Sequence, residues 1–133
     1  MASSTTAGKN AILSGLKTQA EAAGAGPNPT LVFLAGATVV ASVSASIASP
    51  SSGTMTITGG TGTTSATGTL TAVELRDRSG TSLRSYTIGA SGSGRDIIVT
   101  PSGSGVSASG NDIVVSATGV TVNVLTLTET PAT

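Results

Sequence analysis

No cysteine, histidine or tryptophan occurs in the 133-residue chain, and its only aromatic side chains are Phe33 and Tyr86. Without cysteine and histidine there can be no Cys/His zinc site, thiol nucleophile, Ser-His-Asp triad or imidazole base. There is equally no disulfide framework, so cysteine usage says nothing about the redox compartment. Charge is scarce. Six basic and six acidic residues give a formal net charge of zero, which lacks the basic footprint that nucleic-acid binding requires. A long hydrophobic run is also missing. No charged residue lies between Glu21 and Glu74, but the apolar stretch Leu31 to Val43 falls short of the ~20 residues of a spanning helix. From Val39 it turns into an alternation, with Val39, Ala41, Val43, Ala45 and Ile47 on one parity and Ser42, Ser44 and Ser46 on the other. Period two is the pattern of a strand with one buried face, so no membrane segment is expected. The apolar segment Ala11-Ile12-Leu13, between Lys9 and Lys17, is too interrupted for the core of an export signal.

Gly, Ser and Thr make up almost half of the chain. Such enrichment can signal disorder, but disordered chains are usually rich in charge and poor in β-branched apolar residues. Here Val and Ile recur in regular runs. The length suits one domain, with a core of Val, Ile, Leu and Ala. Residues 1–29 read as an N-terminal arm followed by a short amphipathic helix, with Thr6 as its cap and the body spanning Ala7 to Ala23. Ile12, Leu13, Leu16, Ala20 and Ala23 supply a narrow apolar stripe at i, i+3/4 spacing, and Gly24, Gly26, Pro27 and Pro29 end it. Residues 30–128 read as a β domain, and 129–133 as a loose tail. Strands are expected at Thr30 to Ala35, Thr38 to Ile47, Thr54 to Thr58, Thr69 to Asp77, Leu83 to Ile88, Asp96 to Thr100, Asp112 to Ser116 and Val120 to Thr128. The fold class that follows is mainly β: an antiparallel β-sandwich or jelly-roll-like barrel of about eight strands, preceded by one short α-helix.

Three local signals refine this reading. Asp77-Arg78-Ser79-Gly80 has Asp at the first turn position and Gly at the left-handed one, which predicts a hairpin. Residues 91–106 align with 107–122 at eight identical positions, chiefly through Gly-x-Asp-Ile-x-Val at Gly94 to Val99 and Gly110 to Val115. This marks two similar turn-plus-strand units, whether by duplication or by two loops solving one turn problem. Near the C-terminus the apolar parity slips from Val120, Val122 and Val124 to Leu125 and Leu127, which points to a bulge near Val124 or a strand buried on both faces.

Chemistry-bearing residues are few. Glu74, Arg76, Asp77, Arg78 and Arg84 straddle the expected hairpin. They could form a pocket for a polar ligand, an intersubunit contact, or ordinary cross-strand pairs with Arg84 across from Glu74 and Arg76. Catalysis is the poorest of these readings. Asp96 and Asp112 open strands after Gly-rich turns and suit hydrogen bonds from turn N–H groups. Neither segment offers the six to eight oxygens of a Ca²⁺ site, so no metal is expected. Gly59 to Gly62 and Gly103 to Gly105 lack the Lys-Ser/Thr ending of a phosphate loop and read as turns. No catalytic residue, cofactor or small-molecule substrate is expected. A carbohydrate-binding or adhesin module would have to use Tyr86 and the Arg76/Asp77 region.

The segment GTLTAVELRDRSG (68–80), followed by Ile88-Gly89 and Gly94-Arg-Asp-Ile-Ile-Val99, resembles small virion-associated proteins of tailed bacteriophages and prophages. The short helix with Asn10-Ala11-Ile12-Leu13 ahead of a Gly/Ala/Ser/Thr-rich β domain adds to the likeness, which covers most of the chain in order. The resemblance implies a non-enzymatic structural part of a virus particle. Its leading form is a capsid decoration (cement) protein on the outer head surface, bound to the major capsid protein and to copies of itself as a homotrimer. A tail, baseplate or fibre component is the alternative. A thin core with few aromatics fits a domain that buries more apolar area between copies and against a lattice. Candidate intersubunit or capsid contacts are Ile12, Leu13, Leu16, Glu74, Arg76, Arg78 and Arg84.

Overall fold

A computed structural model describes residues 5–22, 28–101, 104–122 and, as backbone, 126–129. Helix α1 runs Thr6–Glu21. Thirteen strands follow among the described residues: β1 Thr30–Ala35, β2 Thr38–Ile47, β3 Met55–Gly59, β4 Gly62–Thr63, β5 Gly68–Thr69, β6 Ala72–Arg76, β7 Ser82–Tyr86, β8 Ile88–Ala90, β9 Ile97–Val99, β10 Val106–Ser109, β11 Asp112–Val115, β12 Thr121–Val122 and β13 Thr126–Glu129. The protein is mainly β with one N-terminal helix, as its pattern of alternation demands. A six-stranded antiparallel sheet, ordered β13-β3-β2-β1-β6-β7, forms one layer. Of three small sheets, β12-β4 continues the β13-β3 pairing at the same register and lies along β2, whereas β10-β11-β5 and β8-β9 are separate sheets that share the core. The last is a parallel pair, the one departure from antiparallel pairing among the described strands.

Alternation explains the large sheet. Leu31 pairs with Val43 and Leu75, and Phe33 with Ala41 and Val73. These rows share a face and join one core with Ile57, Met55, Leu70, Ile88, Ile97, Ile113 and Val115. Ser42, Ser44 and Ser46 point the other way and are exposed. The alternation in β2 does not run through Val39, however. A register shift leaves Phe33 opposite Ala41 and Leu34 opposite Val39, with Val40 as the extra residue. The bulge turns Val40 into the core and leaves Val39 39% exposed, because one inserted residue reverses the parity on its far side. Ser65 N–H donates to the Val40 carbonyl at 2.8 Å, so the bulged backbone keeps a partner.

Three expected strands are interrupted, two of them where the chain passes from one sheet to another. In Thr69 to Asp77, Leu70 N–H donates to Ile113 O and Thr71 N–H donates to Leu34 O, so β5 joins the small sheet and β6 the large one. In Leu83 to Ile88, Thr87 leaves the ladder to exchange two 2.9 Å bonds with Asp96. In Val120 to Thr128, β12 pairs with β4 and β13 with β3. The expected bulge near Val124 lies outside the described residues. β4 and β10 had no sequence reading as strands: β4 is Gly-Thr, and β10 places its one large apolar residue, Val106, at its start.

The helix starts one residue earlier than the sequence suggests. Thr5, and not Thr6, is the N-cap, accepting from Gly8 N–H through its hydroxyl at 3.1 Å. The last helical residue is Glu21, and Ala22 is already extended. Leu13 and Ala20 are buried and Leu16 packs against the core, while Asn10 Oδ1 accepts from Gly53 N–H at 2.9 Å. The helix thus docks on its own β domain. Ile12 is not part of the buried stripe and stays 51% exposed.

Candidate functional site

The charged hairpin between β6 and β7 is the densest set of functional groups. Gly80 N–H donates to Asp77 O at 3.0 Å, and Asp77 N–H donates to Thr81 O at 2.9 Å. The three-residue loop closes through Gly80 at φ +92°, a conformation in which a side chain would be strained. Asp77, 8% exposed, accepts at one carboxylate oxygen from Ser79 N–H, Ser79 Oγ–H and Thr81 N–H, each at 2.9 Å. Thr81 N–H above all holds the carboxyl below the usual carboxylate value; burial opposes this, and the Ser79 bonds reinforce it. The Asp77 charge therefore belongs to the turn.

The other hairpin charges do not converge with it. Glu74 and Arg76, two apart on one face of β6, pair at 2.8 Å through Nη2, with Nε at 2.9 Å from the same oxygen. Arg84 does not lie across from them. A register shift makes Leu83 the extra residue of β7, so that Ser85 stands opposite Glu74, Ser82 opposite Arg76, and Arg84 opposite Leu75. Leu83 instead packs against the core. Arg78 lines a groove of about 520 Å³ with Glu21, Asn28, Ser44, Ser46 and Thr58. Tyr86 stands opposite Val73 on the core face and is 7% exposed. It offers no aromatic platform to a sugar, so of the contact expected for a carbohydrate-binding module only the Arg76/Asp77 region remains. Phe33 is buried as expected.

Among the candidate contacts on the helix, Leu13 is buried in its own chain and Leu16 is packed against that core. Leu13 is thus enclosed by its own chain, while Leu16 keeps part of its surface open. Of the helix trio, Ile12 alone is exposed, and Val39 and Ile98 (44%) are the other exposed large apolar residues described.

The repeat carries polar groups that the sequence reading underused. Gly94 and Gly110 both have positive φ, at +73° and +60°, and Ile97 and Ile113 both enter the core. The two units are thus alike in turn and strand start, although β9 pairs parallel with β8 and β11 antiparallel with β10 and β5. Arg95 Nη1 joins them, donating at 2.9 Å to both Ile88 O and Asp112 Oδ1. The packing is tight beside it. A Cβ on Gly89 would lie 2.5 Å from Asn111 O. Thr64, buried without an apolar neighbour in sequence to announce it, donates to Ala117 O at 2.9 Å and accepts from Val120 N–H at 3.0 Å. Between the sheets lies an apolar cleft of about 510 Å³, lined by Phe33, Val40, Leu70, Ile98, Ile113 and Val122 among others.

Among the described residues no group of three or more acidic side chains comes together where an ion could sit. None of their helices is long and apolar enough to cross a membrane. Compared with protein-family models, with curated proteins and with solved structures, the chain finds no match.

Proposed function

We propose that the protein is a non-enzymatic structural component of a tailed-bacteriophage particle, acting as a decoration protein on the outer capsid surface. The observation that carries the reading is what its charged residues do. Asp77 organises a turn, Glu74 and Arg76 pair along a strand, Lys17 and Glu21 pair on the helix, and Arg95 with Asp112 clamps two strand units. Charges engaged within the fold in this way support a structural role. The likeness of the 68–80 and 94–99 segments to small virion proteins supports the setting. The major capsid protein and further copies of this chain, as a trimer, are the partners in this reading, with Ile12 and the hairpin tip at Ser79 and Gly80 exposed.

Cryo-electron microscopy of the particle tests it. Decoration requires density for this chain over the head lattice at a copy number on the order of hundreds, as closed icosahedral assembly dictates. Density confined to the tail, at single or double digits, overturns it. A tail or fibre role in adsorption is the second reading, favoured by the hydroxyls of Ser44, Ser46 and Thr58 beside Arg78 in the groove, which suit a polyhydroxylated ligand. A glycan array without binding counts against that alternative.

A further inference from the structure

We draw no further inference here: the strongest candidate, the uncharged outer face of α1 where Ala7, Ala11, Ile12 and Gly15 lie exposed and a Cβ on Gly15 would meet nothing within 4 Å, is a stripe of small residues with nothing in the structure to show what covers it.

Discussion

The six-stranded sheet and the two separate small sheets reach the same core by different means. In the six-stranded sheet, β1 and β2 share a ladder from Thr30↔Ser44 to Ala35↔Thr38 and β6 continues it on the other side. Alternate residues deliver Leu31, Val43 and Leu75 to the interior. In the β10-β11-β5 and β8-β9 sheets the strands are two to four residues long, so each ladder is short. There Arg95, and Asp96 with Thr87, add side-chain bonds between segments, and Gly89 lets backbones approach. A sheet of long ladders is expected to tolerate the loss of one polar side chain better than short ladders reinforced by such links.

That contrast can be tested from its strongest side first. Leu75→Ala, at a fully buried site in the centre of the large sheet, is expected to cost about 2–5 kcal/mol by denaturant unfolding. A cost below about 1 kcal/mol would mean that the core is not packed there as described. Gly89→Ala puts a methyl against the Asn111 carbonyl, for which overpacking costs about 1–3 kcal/mol. Hydrogen exchange should show that loss concentrated in β8, β9 and β11; uniform loss across all the sheets would break the distinction. Arg95→Met removes two bonds from a partly exposed guanidinium, worth about 1–2 kcal/mol after solvent screening. Glu74→Gln, which loosens a pair lying along one strand, should cost under about 1 kcal/mol. An equal cost for the two would deny Arg95 its role as a clamp.

Acid gives the smallest effect. Because the folded Asp77 carboxyl lies below its ordinary value of 3.8, the unfolded chain takes up its proton first as pH falls. The stability from ionised Asp77 is therefore complete above the unfolded value and lost as pH falls through the folded one. Asp77→Asn should flatten this acid limb of the stability curve. An unchanged limb would show that the hairpin does not depend on that charge.

The sequence made the large sheet legible because its face is repeated: β1 and β2 were placed to the residue, and Asp77 to Gly80 announced its hairpin. Two bulges escaped for different reasons. Val39 and Val40 are equally apolar, so composition gives no parity at which to stop, whereas Leu83 stands alone between Ser82 and Arg84 and leaves β7 no alternation to read. The breaks at Leu70–Thr71 and Thr87 were hidden as well, since a chain changing sheets remains extended and β-branched. The helix docked through Leu13 and Ala20 as the stripe suggested, but a narrow stripe left Ile12 on either side of its boundary. In the candidate site, residue types were visible and partners were not. A single inserted residue sets Arg84 opposite Leu75 instead of opposite Glu74 or Arg76, and Arg95, in plain view inside the repeat, has a partner 17 positions away.

The pairing of β13 with β3 also sets an order of events. Once β2 and β3 have met, the outer backbone of Met55–Gly59 stays open until the ribosome has delivered residues 126–129. During that interval the nascent sheet offers the bare strand Met55-Thr-Ile-Thr-Gly59, a template for strands of other chains. Synthesis, rather than the folded state, is where this edge is most open to aggregation.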